Sequence, residues 1–163
     1  MAKVKHDPNS YAWSILRVGL GYIFLWAFLD KTFGLTVSTC SGKSLGCSQA
    51  WIHGGSPTAG FLGHATTGPF VNFYHHLAGH AIVDWGFMLG LLFVGLGLFF
   101  GTWIKSAAAV GMVMLALMWS ALLWPANAPG VDEHIIYILA LFGLLATDAK
   151  PRWTVKLPWV KLP

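Results

Sequence analysis

The sequence predicts an all-α integral membrane protein. It would be a four-transmembrane-helix bundle with a long outward loop that contains a re-entrant or interfacial helical segment. Three observations carry this. Hydrophobic residues make up 56% of the 163 residues and charged residues only 10%, against roughly 25% charged in a soluble domain. Four apolar runs lie along the chain, the first three close to the length of about 20 residues that a bilayer core requires. Between the first two runs lies Trp51 to Asp84, too polar and too rich in Gly, Pro and Thr to cross a membrane, holding five of the seven histidines.

One domain, residues 1–163, accounts for the whole chain. A short basic arm precedes Asp7-Pro8-Asn9-Ser10, a helix-start signal. No secretory signal is expected, because the first apolar run is too long and lacks a small-residue cleavage site. That run, 12–33, is the first predicted span. Gly34 stops it, and the outer loop 34–83 follows. Gly68-Pro69 divides its polar stretch into an irregular first half and a short interfacial helix over 70–82. The second span is 84–103. Its Gly86, Gly90, Gly97 and Gly101 fall within about 60° on a helical wheel, a small-residue stripe that lets another helix approach closely. The third span is 106–124, a Pro- and Gly-rich turn covers 125–130, and the fourth is 131–147. The tail 148–163 is basic, with Trp153 and Trp159 at headgroup level.

The charge distribution orients the chain. Lys3, Lys5, Lys105, Lys150, Arg152, Lys156 and Lys161 fall on the side of the termini, and Lys31 and Lys43 on the other. The positive-inside rule then makes both termini cytoplasmic and the loop 34–83 external; the membrane is expected to be a plasma membrane. The +4 net charge is an orientation signal, not a nucleic-acid footprint, since no basic patch is interleaved with stacking aromatics.

Most ionisable groups outside the basic ends gather at the outer depth. Asp30, Lys31, His76, His80, Asp84, Glu133 and His134 are therefore the candidate catalytic residues, because charged groups near helix ends in a membrane pair, face a wet cavity or cap a helix. Asp84, Asp132 and Glu133 also suit the positive end of a helix dipole. His76, His80 and Asp84 are spaced by four and would share one face of a continuous helix. No further ligand sits at a fixed spacing to complete a metal set, so no metal site is expected. Arg17 lies about 8 Å into the first span, at 1.5 Å per residue. It either snorkels to the headgroups or turns inward to a carbonyl or an acidic quinone-type ligand. Arg17 and Trp26 are the candidate cofactor-binding residues. Gly21, Phe24, Phe28 and Lys31 share the Arg17 face. Cys40 and Cys47 meet in the outer loop. A structural disulfide is expected in an oxidising compartment, with a redox-active dithiol left open, although the spacing is wider than Cys-X-X-Cys.

Four blocks of sequence, RVGLGYIFLWAFLDKTFGL, SPTAGFLGHATTGPFVNFY, VDWGFMLGLLFVGLGLFFG and DEHIIYILALFGLL, together resemble the DoxX/DoxD family of small membrane proteins, in order over residues 14–147. The resemblance implies a four-helix membrane fold. For the DoxD branch it implies a subunit of a thiosulfate:quinone oxidoreductase that works with a DoxA-like partner. The expected function is thus a DoxD-like membrane subunit of a quinone-linked oxidoreductase, oxidising thiosulfate or a related small sulfur anion at the outer face. The alternatives are a non-catalytic accessory or assembly subunit of a larger membrane redox complex, and thiol–disulfide exchange with quinone through Cys40 and Cys47. Quinone is the one cofactor expected, because no haem, flavin, nucleotide or iron–sulfur motif is present. The expected partners are the lipid bilayer, other redox-complex subunits and a small sulfur anion.

Overall fold

The computed structural model describes residues 8–125, 128–147 and 152–155. The basic arm expected at 1–7 lies outside the described residues, as does most of the basic tail, including Lys150, Lys156, Trp159 and Lys161. Five α-helices make up the described chain: α1 (Pro8–Phe33), α2 (Val71–Leu77), α3 (Ala81–Phe100), α4 (Ile104–Ala121) and α5 (Glu133–Ala146). A 3-10 turn at Trp51–His53 and a π-helical turn at Phe61–Ala65 punctuate the loop between α1 and α2.

Helices α1, α3 and α4 are long and apolar enough to cross a membrane. Helix α5 is apolar but has 14 residues, a rise of about 21 Å at 1.5 Å per residue, against a hydrocarbon core of about 30 Å. The outward surfaces of all four are apolar: Ile15, Leu89, Val113 and Phe142 are each more than half exposed. A helix that is apolar all round, with its outer face uncovered, belongs to a membrane-associated protein.

The four long helices pack in antiparallel neighbours. A Cβ on Gly21 would overlap the backbone of Phe99, and one on Gly95 would meet Leu25. Helices α1 and α3 therefore run in opposite directions with their backbones nearly touching, and only glycine permits that approach. Gly97 lies against Ala107 and Gly90 against Met114, which pairs α3 with α4. Gly111 receives Leu141 of α5, and Gly143 receives the ring of Trp13 from α1. The core formed between them contains Leu20, Phe24, Met88, Val94, Leu98 and Leu141. Of the predicted stripe on α3, Gly90 and Gly97 thus do pack against a neighbour. Gly101 ends the helix in the left-handed region (φ 72°), and Gly86 faces open space.

One end of the bundle gathers the start of α1, the end of α3 and residues 152–155. Arg152 N–H donates to Ser14 Oγ and its Nε–H to Ser10 Oγ. The Arg152 guanidinium lies 4.2 Å from the Tyr11 ring centroid, and Val155 N–H donates to Phe100 O. The opposite end is covered by residues 34–80, hereafter the cap.

The interfacial helix expected over 70–82 is broken. Helix α2 ends at Leu77, Gly79 takes φ 75°, and His80 is the extended residue that precedes α3. A residue with φ in this region leaves the helical path, and glycine adopts it without a steric penalty. His76, His80 and Asp84 therefore do not share one continuous helical face.

Candidate functional site

Asp30, Asp84 and Asp132 at the cap end can each be followed to their partners. Asp30, in the last turn of α1, is buried, and its carboxylate receives four donors from one short loop. Val37 N–H donates to Oδ1; Ser38 N–H, Ser38 Oγ–H and Thr39 N–H donate to Oδ2. A loop of consecutive N–H groups around an anion is the arrangement that stabilises buried negative charge. Cys40 follows at once, buried, with φ 62°, and is bonded to Cys47.

Asp84, in the first turn of α3, does the same for a second part of the cap. Its Oδ1 accepts from Ser56 Oγ–H at 2.9 Å, from Thr58 N–H at 3.2 Å and from Thr58 Oγ1–H. The end of α4 supplies a third tie. Thr67 N–H donates to Ala121 O, Tyr74 Oη–H donates to Leu117 O, and the Tyr74 and Ser120 hydroxyls are hydrogen-bonded to each other. The first of these satisfies a carbonyl that the end of a helix leaves without an intrahelical partner. The cap is thus tied to α1, α3 and α4 by separate polar clusters.

Asp132 caps α5. Its Oδ1 accepts from His134 N–H and Ile135 N–H, and its Oδ2 lies 2.8 Å from His134 Nδ1. Burial alone would raise the Asp132 pKa. The hydrogen bonds from His134 and Ile135 and the nearby imidazole outweigh it, so the carboxyl titrates below the usual range. Asp132, Glu133 and His134 also bring one ligand atom each within 4.8 Å of one another, as neighbouring polar residues at a helix start do without a metal.

The remaining candidates lie elsewhere. Glu133, His76 and His80 are exposed. Trp26 is 36% exposed on the outer face of α1, stacked on Tyr22 at 6.0 Å between ring centroids. Arg17 is 1% exposed at the far end of the bundle. Its guanidinium turns inward to carbonyls: Nη1 donates to Leu98 O and Phe99 O, and Nη2 to Arg152 O and Trp153 O. Leu98 and Phe99 belong to the last turn of α3, where a cation meets both the unpaired carbonyls and the negative end of the helix dipole.

Lys31 differs from all of these. It is half-buried, and among the described residues no carboxylate lies within ion-pair distance of it. Its Nζ stands 5.9 Å from the centroid of the Phe87 ring, at the outer limit for a cation–π contact. It lines a cavity of about 490 Å³ between the cap and the bundle. Phe61 and Leu62 of the π-helical turn, with Phe73, Tyr74 and Leu77 of α2, form its cap side. Val83, Gly86 and Phe87 of α3, with Met114, Leu117 and Met118 of α4, form its bundle side. Pro57 and Thr58 complete the wall beside the Asp84 tie. The size falls within the range of small-molecule sites, and apolar walls with few placed polar groups are their usual chemistry.

The structure therefore brings the candidate catalytic residues to one end of the bundle but not into one site, and leaves Arg17 at the other end. Only Lys31 among them lines the cavity. The apolar wall residues carried no signal by residue type. Gly86 did stand out, but as one of four helix-packing glycines. Compared with known proteins, the chain matches no family model, no curated protein and no solved structure.

Proposed function

We propose that this chain is a DoxD-like membrane subunit of a quinone-linked oxidoreductase, lying in a plasma membrane with both termini cytoplasmic and the cap outward. The observation that carries the reading is the cavity beneath the cap: apolar walls around a single lysine that has no ion-pair partner among the described residues. A quinone fits this donor set. Its ring and isoprenoid tail suit Phe, Leu and Met walls, and its carbonyl oxygens accept hydrogen bonds that an ammonium group donates. A bound quinone supplies two-electron acceptance. Lys31 would orient one carbonyl, and the cap would exclude water from the ring. The proposed electron donor is thiosulfate or a related small sulfur anion at the outer face, alone or through a DoxA-like subunit.

Gly86 makes the test specific. A Cβ there meets nothing within 4 Å, and the residue lines the cavity. Gly86→Leu should keep the protein folded and weaken binding of a short-tailed quinone at least tenfold, measured by equilibrium binding in lipid nanodiscs. Unchanged affinity in this variant would remove the cavity from consideration. Quinone reduction by thiosulfate, assayed with and without candidate partner subunits, tests the reaction itself.

A second reading, a non-catalytic accessory subunit, is favoured by the structural use of Asp30, Asp84 and Arg17. All three make hydrogen bonds that hold the fold together. Thiol exchange is the weakest reading, because Cys40 is 1% exposed.

A further inference from the structure

The cavity wall holds one charged side chain, Lys31, and no carboxylate; the charge of Asp30 acts on Lys31 from outside the wall. Asp30 is the neighbour of Lys31 in sequence, yet its two oxygens are engaged by Val37, Ser38 and Thr39. Asp84 belongs to α3, and its Oδ1 is engaged by Ser56 and Thr58. Neither makes an ion pair with Lys31. The other polar side chains on the wall, Thr58 and Tyr74, are neutral and spend their hydroxyl protons on Asp84 and on the end of α4. The wall therefore presents one positive charge, apolar rings and thioethers, and no negative charge. An ammonium in such surroundings is costly until an anion accompanies it.

From this we infer that the cavity selects an amphiphile with an ionised oxygen on an apolar body, and that Lys31 is the residue that reads the charge. The inference rests on the quinone reading for the ring and adds the charge of the head. Within that reading the preferred ligand is a hydroxyquinone in its anionic form, not a neutral quinone. A fatty-acid carboxylate shares the chemistry of charge and tail without the ring. Binding requires no covalent or redox step: the ionised oxygen meets the Lys31 ammonium, and the apolar body displaces water from the Phe, Leu and Met walls.

The experiment compares two naphthoquinones on the protein in nanodiscs of neutral lipid. Menadione is neutral. Lawsone carries a hydroxyl in place of the methyl group and is an anion at neutral pH. Lawsone should bind about tenfold more tightly, as one added charge contact of about 1.4 kcal/mol requires. Lys31→Gln should weaken both ligands but lawsone about tenfold more, so that the two bind equally, and Lys31→Arg should retain the preference. Equal binding of the two ligands, or a preference that survives Lys31→Gln, would overturn the inference and leave the quinone reading standing. Binding of neither ring would overturn both. Decanoate binding as tightly as lawsone, with no menadione binding, would uphold selection by charge and remove the ring from the reading.

Discussion

Arg17 and Asp132 illustrate how single side chains settle the ends of helices in this protein. The Arg17 guanidinium occupies carbonyls from the end of α3 and from Arg152 and Trp153 at once. Removing it leaves one buried and three part-buried acceptors unpaired, at about 1–3 kcal/mol for each group that water cannot reach. Arg17→Met should therefore lower the thermal midpoint in detergent by several degrees, with Arg17→Lys intermediate because an ammonium cannot span both pairs of carbonyls. A midpoint unchanged by Arg17→Met would show that water replaces these bonds freely. Asp132 makes a pH prediction. Its pKa is lower in the folded protein than in the unfolded chain, so its contribution to stability is fully present above about pH 4, the ordinary carboxylate range. That contribution is lost as pH falls through the folded value. Thermal midpoints measured downward from neutral pH should lose less in Asp132→Asn than in the parent, and the variant should start lower because the N-cap is weakened. The parent and the variant falling in parallel would contradict this assignment.

At the scale of elements, the cap is an irregular chain held by carboxylates that project from regular helices. The Asp30 cluster holds residues 37–39 and the Asp84 cluster holds residues 56–58. The two involve no common residue, so they should fail separately. Hydrogen exchange should quicken at Ser38 and Thr39 in Asp30→Asn, and at Thr58 in Asp84→Asn, with each leaving the other cluster slow. Joint loosening in either variant would mean that the cap opens as one unit. Replacing both cysteines by serine removes a short closed loop, worth about 2–3 kcal/mol in the chain-entropy description. The effect should appear as protease cleavage within residues 41–49 while the helices remain intact. These ties also mark the boundary of what could be read beforehand. The apolar runs of α1, α3 and α4 were legible because hydropathy reports directly on lipid contact. The partners of Asp30 and Asp84 were not, since most are backbone N–H groups, which every loop possesses and no residue type advertises. The spacing of His76, His80 and Asp84 misled because it presumed a continuous helix across Gly79, where the backbone turns.

On the scale of the whole molecule, polar chemistry sits at the two ends of an apolar bundle, and glycine sets how closely the bundle packs. Gly21→Val would drive α1 away from Phe99, and such overpacking costs about 1–3 kcal/mol. The thermal midpoint should fall, whereas Gly19→Val on the same helix, where a Cβ meets nothing, should change little. Equal effects would mean that helix propensity and not close approach governs the site. The position of the cavity at the cap end was partly legible, through Lys31, while its walls were not, since Phe, Leu and Met mark the core and the lipid face equally. The clasp at the other end bears on how the chain is made. Arg17 belongs to α1, which leaves the ribosome before its acceptors in α3 and at residues 152 and 153. An arginine in a membrane helix costs about 2.5–3.5 kcal/mol at the centre and less toward the end, where Arg17 lies. During synthesis α1 must carry that burden, with Arg17 drawn toward the headgroups, until its last acceptors emerge. A chain stopped after Thr147 should thus insert and yet turn over faster in cells than the full chain, as pulse-chase labelling would reveal.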